Sequence, residues 1–205
     1  MDHTTKVAFC RHFFDEFVIY GLFGAKNVVF IRKVQTLCLS LVFLCSTVVA
    51  QNPDARGYIV KLGDKVPNFR LTLADGKEVS LRKLLKKHEL VMLQFTASWC
   101  GVCRQEMPHI ESDIWQPYKD KGLSVIGVDY KESPEKVREF AEKMKISYPL
   151  AIDTAGNVFA LFAQRDSGVT RNVLINRKGR IVFLTRLFDI AEFEALKKAI
   201  AETLH

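Results

Sequence analysis

The sequence has few of the residues that bind metal ions. Its 205 residues include five cysteines and five histidines. Beyond residue 50 only Cys100 and Cys103 remain of the cysteines, together with His88, His109 and His205. A structural zinc site needs four ligands, usually from two close Cys or Cys/His pairs. Because there is no second cysteine pair and the histidines lack ligand spacing, the sequence argues against a zinc site.

A long basic tract, an internal repeat and a low-complexity segment are also missing. The formal net charge of +7 is spread along the chain. This distribution is typical of a solvated surface rather than of nucleic-acid binding. With 48% hydrophobic and 26% charged residues, the chain is predicted to be globular, and its length suits one domain with a sizeable core.

A long apolar run lies near the N-terminus. Arg32 and Lys33 precede "VQTLCLSLVFLCSTVVA", residues 34–50. A positive flank, an apolar stretch and a small-residue end are the layout of a secretory signal peptide, so we predict cleavage after Ala50. An uncleaved membrane anchor is the alternative. Residues 1–33 are interpreted as an N-terminal extension that results from a mis-assigned translation start or, alternatively, contains a second apolar segment that helps anchoring. The remaining domain is then periplasmic or otherwise extracytoplasmic.

After a polar linker at 51–58, strand and helix patterns alternate. Strands are predicted as a hairpin turning at Asp75 and Gly76, and at 89–97, 122–130, 149–152, 171–176 and 180–186. Helices are predicted at 81–87, 101–118, 134–145 and 156–162 and after Asp189, with Ser80, Ser133 and Asp189 as caps. Such alternation implies a parallel core sheet with helices on both faces, and the last two strands add antiparallel pairs. The predicted fold class is α/β, a central mixed sheet flanked by helices with an added N-terminal β-hairpin.

The two remaining cysteines stand in "ASWCGVCRQEMP", residues 97–108, directly after a predicted strand. At a helix N-terminus, unpaired N–H groups and the positive dipole end stabilise a thiolate. Cys100 is therefore predicted to be the exposed attacking thiol, and Cys103 the more buried thiol that resolves a mixed disulfide. A structural disulfide closing so short a loop would stabilise little. Trp99 either shields the site, supplies a contact surface or packs in the core.

The motif F-x-A-S-W-C-G-V-C-R-Q-E-M-P resembles a thioredoxin-fold active site. Together with "GDKVPNFRLTLADGKEVSL" and the segment 134–152, it resembles the TlpA/ResA-like group of extracytoplasmic thiol-disulfide oxidoreductases, relatives of the AhpC/TSA redoxins. The resemblance covers about residues 59–205 and implies a thioredoxin-like domain there. It implies an enzyme whose working group is the redox-active pair, without a metal or organic cofactor. A protein thiol or disulfide would be the substrate, and a membrane protein would donate the electrons.

Several positions match this group. Cys100 and Cys103 match the redox pair, and Pro108 matches the proline that kinks the active-site helix. Glu106 matches an acidic residue that some ResA-like proteins place near their disulfide. Its carboxylate could exchange protons with the thiols and tune their pKa. The alternative is a solvated glutamate on the helix surface.

Two positions depart from the pattern. Gln94 stands where thioredoxins carry a buried aspartate, and glutamine can form hydrogen bonds but cannot titrate. Thr170 stands where the cis-proline of the substrate-guiding loop is usual, and a non-proline cis bond costs about 2.5–4 kcal/mol, so a trans bond is expected. Arg171 could bind an acidic substrate group, stabilise the Cys100 thiolate or be a surface charge.

The sequence thus predicts an extracytoplasmic enzyme that reduces disulfides of secreted or membrane proteins. A thiol peroxidase remains an alternative, although Ala97 stands where the peroxiredoxin motif P-x-x-x-T-x-x-C needs threonine. A disulfide-forming oxidase or isomerase also remains open, because direction depends on the reduction potential and the partner. The altered proline loop keeps a non-enzymatic binding module as a further alternative.

Overall fold

A seven-stranded sheet organises the part of the chain that the computed structural model describes, residues 56–204. The N-terminal extension, the predicted signal peptide or anchor and residues 51–55 of the predicted linker lie outside the described residues. The strands are β1 (Arg70–Leu73), β2 (Glu78–Ser80), β3 (Leu90–Thr96), β4 (Leu123–Tyr130), β5 (Leu150–Asp153), β6 (Arg171–Asn176) and β7 (Ile181–Arg186).

Five helices accompany the sheet in this part of the chain. They are α1 (Leu81–Lys87), α2 (Gly101–His109), α3 (Gln116–Tyr118), α4 (Pro134–Met144) and α5 (Ile190–Leu204). A π-helical segment, Ile110–Trp115, joins α2 to α3, and a 3₁₀ turn covers Phe159–Leu161. Between residues 56 and 204, no helix has the length and apolarity that crossing a bilayer requires.

The strand order is β2-β1-β5-β4-β3-β6-β7. The central strand β4 runs parallel to β3 and β5. The remaining pairs, β1 with β2 and β5, β6 with β3, and β7 with β6, are antiparallel. The predicted mixed sheet and the added N-terminal hairpin are therefore confirmed.

The middle of the sheet is buried on both faces. Every residue of β3 and β4 is buried, and side chains alternate between the two faces along a strand. Leu90 and Met92 of β3 pack with helical residues of α4 and α5, whereas Val91, Leu93 and Phe95 pack with α1 and the 3₁₀ turn. This two-sided burial explains the unbroken apolar run in the sequence and confirms helices on both faces.

Side-chain caps fix three helix starts where the sequence placed them. The Ser80 hydroxyl accepts from the N–H of Lys83, and the Ser133 hydroxyl accepts from the N–H of Lys136, both at 3.4 Å. The Asp189 carboxylate accepts from the N–H of Glu192 at 2.9 Å. Each cap satisfies a donor that the first helical turn would otherwise leave unpaired.

Two boundaries differ from prediction. The helix predicted at 156–162 is only the 3₁₀ turn, because the Asp153 carboxylate accepts from the N–H groups of Asn157 and Phe159 and closes a tight turn there. The folded domain also begins before residue 59. Tyr58, placed in the linker by sequence, is 1% exposed and donates its hydroxyl to the Thr185 carbonyl at 2.5 Å.

Candidate active site

The two cysteines lie at the junction between the end of β3 and the start of α2. Cys100 is the N-cap of α2, Cys103 lies in its first turn, and a disulfide joins them with their Cα atoms 5.3 Å apart. The Cys103 N–H donates to the Cys100 Sγ at 3.2 Å, so that sulfur takes the place of a capping oxygen. A hydrogen bond from the Cys100 N–H to the Ala97 carbonyl, 3.0 Å long, turns the chain from strand to helix.

The exposure of the two thiols follows the predicted order but not the predicted extent. Cys100 is 8% exposed and Cys103 is fully buried. Cys100 is thus the more accessible sulfur, yet the expectation of an exposed thiol is wrong. The loop that carries Thr170 covers it, since the Thr170 Oγ1 lies 3.1 Å from the Cys100 Sγ and 3.2 Å from the Cys103 Sγ.

Thr170, which stands where a cis-proline is usual, therefore faces the disulfide. The residue is buried, and no peptide bond between residues 56 and 204 is cis, in agreement with the expected trans bond. A hydroxyl group can donate one hydrogen bond and accept others. Proline would offer the sulfurs no donor, so threonine changes the chemistry of this contact as well as its shape.

Glu106 lies one helical turn after Cys103 and is 1% exposed. Its carboxylate accepts from the Asn172 side-chain amide at 2.7 Å and from the Gln94 amide at 3.4 Å. Burial raises the pKa of Glu106 from 4.5 to about 7, although both amide hydrogen bonds act in the opposite direction. The alternative of a solvated surface glutamate is therefore wrong.

The polar group around Glu106 extends across the sheet. Gln94 of β3 accepts from the Tyr148 hydroxyl at 2.7 Å, and Asn172 of β6 donates to the Thr185 hydroxyl at 2.9 Å. Within this cluster Glu106 is the group whose pKa lies near neutral pH. The sequence analysis missed Asn172, Tyr148 and Thr185. A polar residue inside the apolar strand "RNVLIN" was the available signal for Asn172.

Arg171 is fully buried at the start of β6. Its guanidinium donates to the Gly168 carbonyl at 2.8 Å and to the Ser167 hydroxyl at 3.0 Å, and its central carbon lies 4.5 Å from the centre of the Tyr58 ring. Interpretation as a surface charge or as a binding group for acidic substrates is wrong, because the side chain reaches no solvent. Its hydrogen bonds to Ser167 and Gly168 instead stabilise the loop that ends in Thr170.

Trp99 and Pro108 flank the cysteine pair along the chain. Trp99 is 62% exposed, which overturns the packed-core alternative and places an indole ring at the surface next to Cys100. Pro108 stands inside α2 and has no N–H for the carbonyl one turn earlier. The π-helical segment begins two residues later, so the predicted helix 101–118 is interrupted close to the proline, as expected.

Comparison with known proteins adds to this geometry. The family model described as the AhpC/TSA family matches residues 62–184. A thiol-disulfide oxidoreductase ResA from Halalkalibacterium halodurans is 33% identical over 124 residues, which cover 60% of this chain and 68% of that protein.

Solved structures are similar over most of the described residues. The solution structure of a candidate protein disulfide isomerase from Bacteroides thetaiotaomicron is 52% identical, with a TM-score of 0.69 over 72% of this chain and 92% of the other. The crystal structure of a candidate thiol:disulfide interchange protein DsbE from Chlorobium tepidum is 30% identical, with a TM-score of 0.63 over 71% and 99%. The chain belongs to the AhpC/TSA family and is an oxidoreductase of thioredoxin-like fold.

Proposed function

We propose that this chain is an extracytoplasmic thiol-disulfide oxidoreductase that reduces disulfide bonds of secreted or membrane proteins. The observation that carries the proposal is the Cys100–Cys103 disulfide at the N-terminus of α2. The relatives named as thiol-disulfide oxidoreductase ResA and interchange protein DsbE support it. The apolar stretch at 34–50, as a signal peptide or an anchor, supports the location.

The reaction proceeds in two exchanges. The Cys100 thiolate attacks one sulfur of the substrate disulfide, forms a mixed disulfide and releases the other substrate sulfur as a thiolate, which takes a proton. The Cys103 thiolate then attacks the Cys100 sulfur, which releases the second substrate thiol and forms the Cys100–Cys103 disulfide. Two electrons have passed from the protein dithiol to the substrate. A membrane protein dithiol restores the reduced state by the same exchange in reverse.

Neighbouring side chains have defined tasks in this proposal. The N-terminus of α2 and the Thr170 hydroxyl stabilise the Cys100 thiolate. Glu106 takes up the proton that Cys103 must lose before it attacks, because its pKa of about 7 lets it exchange protons near neutral pH. The exposed Trp99 ring contacts the substrate. The proposed reaction uses no metal or organic cofactor.

Mixed-disulfide trapping tests the proposal. In a full chain whose Cys10, Cys38 and Cys45 are replaced by serine, Cys103→Ser should accumulate a covalent complex with a disulfide-bonded protein, because Cys100 attacks and no other thiol resolves the product. Cys100→Ser should form no such complex, and neither should the double variant. Non-reducing electrophoresis and mass spectrometry identify the linkage. A complex formed equally well through either cysteine, or through neither, would contradict the assigned roles.

Disulfide isomerisation is a second candidate function. It is favoured by the 52% identity to a protein described as a candidate protein disulfide isomerase. An isomerase needs the same attack by Cys100 but must release its substrate with a rearranged disulfide. Recovery of activity by a scrambled, fully oxidised substrate protein under redox buffering would support isomerisation over reduction.

A further inference from the structure

A cleft of about 580 Å³ lies between α1, the turn that joins β6 to β7 and the loop before β1. Its volume falls within the range of about 300–1,000 Å³ that is typical of ligand sites. Five of its eleven lining residues are positively charged, and none of the described residues that line it is acidic. The basic residues of this cleft, called the basic cleft below, are Lys65, Arg82, Lys86, Arg177 and Lys178.

Hydrogen bonds hold the walls of the basic cleft together. The Val66 N–H donates to the Gly179 carbonyl at 2.9 Å, which joins the loop before β1 to the turn between β6 and β7. The Asn68 side-chain oxygen accepts from the Arg82 N–H at 2.9 Å, which joins the same loop to α1. The cleft is therefore formed without a ligand, and binding need not order its walls.

Most of the positive charge around the basic cleft is not neutralised by neighbouring carboxylates. Arg177 forms an ion pair with Glu89. Within residues 56–204, none of the other four basic side chains forms an ion pair. All four residues are exposed. A cleft lined by charge of one sign attracts ligands of the opposite sign, so the basic cleft favours an anion.

The floor of the basic cleft is apolar. Val66 is 7% exposed and Leu81 is 2% exposed, and Leu85 packs against the same hydrophobic core. An apolar group that covers this floor loses contact with water, which favours binding. A ligand that matches both features carries several negative charges around an apolar group.

The basic cleft lies at the opposite end of β6 from the disulfide. This strand begins next to Thr170, which contacts both sulfurs, and it ends directly before the turn that lines the cleft. A strand rises about 3.3 Å per residue, so the six residues of β6 separate the two sites by about 20 Å. A ligand in the cleft therefore leaves the disulfide uncovered.

We propose that the basic cleft binds an acidic segment of a partner protein, a short peptide in which several acidic residues surround an apolar one. Four cations without an ion pair suit several carboxylates better than one, and the apolar floor suits a side chain better than an inorganic anion. A flat bilayer surface would not fill a concave cleft. The inference goes beyond the proposed function, because binding at this site involves no thiol exchange.

Calorimetric titration with a synthetic peptide tests the inference. The protein is the oxidised full chain with Cys10, Cys38 and Cys45 replaced by serine, and the peptide is Glu-Asp-Leu-Glu-Asp with blocked termini. This peptide should bind, and salt should weaken the binding because exposed charges are screened. The uncharged peptide Gln-Asn-Leu-Gln-Asn should not bind. The peptide Glu-Asp-Gly-Glu-Asp should bind about tenfold more weakly, because it lacks the apolar side chain.

Charge reversal tests whether the peptide binds in the basic cleft. Lys86→Glu combined with Lys178→Glu should weaken binding about tenfold, because each change replaces an attraction by a repulsion. The matched control is Lys136→Glu combined with Lys143→Glu, two exposed residues of α4 on the other face of the sheet. It changes the net charge equally and should bind like the wild type. If the reversal does not fold, by circular dichroism, Lys86→Gln combined with Lys178→Gln should show a smaller loss.

Several results would overturn the inference. Equal binding of the uncharged peptide, or equal losses in the cleft variant and the α4 control, would show that the cleft does not recognise an acidic peptide. Citrate that binds in the cleft more tightly than the peptide would assign the site to a small free anion. Vesicles of anionic lipid that bind through Lys86 and Lys178, without peptide binding, would assign it to a membrane surface.

The titration and the trapping experiment fail independently, because the oxidised protein exchanges no thiol with the peptide. A chain that binds the peptide but traps no substrate would support the inference and contradict the proposed function. A chain that traps substrate but does not bind the peptide would contradict the inference alone.

Discussion

At the scale of single residues, the buried polar groups near the disulfide differ in what they can do with a proton. Gln94 and Asn172 can only form hydrogen bonds. The carboxyl group of Glu106, which both amides contact, has a pKa of about 7 because it is buried. Glu106 is therefore the neighbour through which pH near neutrality should act on both stability and thiol chemistry.

The stability of the protein should fall with pH because of Glu106. The pKa of this group is higher in the folded protein than in the unfolded chain, so the folded state binds the proton more tightly. The stabilisation is complete below pH 4.5 and is lost as the pH rises to about 7, a fall in the unfolding free energy of about 3 kcal/mol. Urea unfolding of the oxidised protein at a series of pH values measures it.

Glu106→Gln should lack this component of the pH dependence, because the replacement does not titrate. The exposed Glu139→Gln is the matched control and should behave as the wild type. Equal pH slopes for Glu106→Gln and the wild type would show that Glu106 keeps an ordinary pKa in the folded protein.

Thr170 should stabilise the thiolate of the reduced protein. Its hydroxyl lies within hydrogen-bond distance of both sulfurs, and a hydrogen bond to the charged form lowers a pKa. Thr170→Val keeps the shape and removes the donor, so the Cys100 pKa should rise by somewhat less than one unit, from a bond of about 1 kcal/mol. Thiolate absorbance against pH measures the shift. Thr170→Ser should retain the wild-type pKa, and a shift shared by both variants would assign the effect to packing.

At the scale of secondary-structure elements, the site depends on where β3 stops and α2 starts. β3 is held on both sides by β4 and β6, so its end is fixed relative to the loop before β6 that carries Thr170. Pro108 and the π-helical segment interrupt the helix only beyond Glu106. The reactive turn is thus set by neighbouring strands rather than by the cysteines themselves.

Helix α4 provides a test of local stability away from the thiols. Ser133 caps it, with Pro134 at the first helical position. Ser133→Ala should lower the unfolding free energy by about 1 kcal/mol, because the N–H of Lys136 loses its acceptor. Ser133→Asp keeps an acceptor and should unfold like the wild type in urea. No loss in Ser133→Ala would mean that solvent replaces the cap without cost.

At the scale of the whole molecule, the sequence predicted the structural features that are determined locally along the chain. The apolar run of β3, the caps at Ser80 and Ser133 and the cysteine pair at a helix start each depend on a few consecutive residues. The contacts around the active site depend instead on residues that are far apart in the sequence. Asn172 meets Glu106 across 66 positions and Ser98 meets Glu132 across 34, so these bonds exist only once the sheet order is set.

Burial was the other property that sequence could not supply. Arg171 and Tyr58 are polar-tipped residues that usually reach solvent, and both are buried here because the guanidinium stacks on the ring. The same limit applies to Cys100, whose cover comes from Thr170, 70 positions away. The sequence predicted that Cys100 lies at the helix start, but it did not predict how little of the side chain is exposed.

The most direct test of reductive disulfide exchange is the reduction potential of the Cys100–Cys103 pair. It is measured by equilibration in glutathione or dithiothreitol buffers on the full chain with Cys10, Cys38 and Cys45 replaced by serine, so that only this pair is titrated. A potential of about −250 mV or lower is expected, in the range of reductants such as thioredoxin. A potential near about −120 mV is that of a strong oxidant and would contradict a reducing role. A pair that forms no reversible disulfide would contradict redox function altogether.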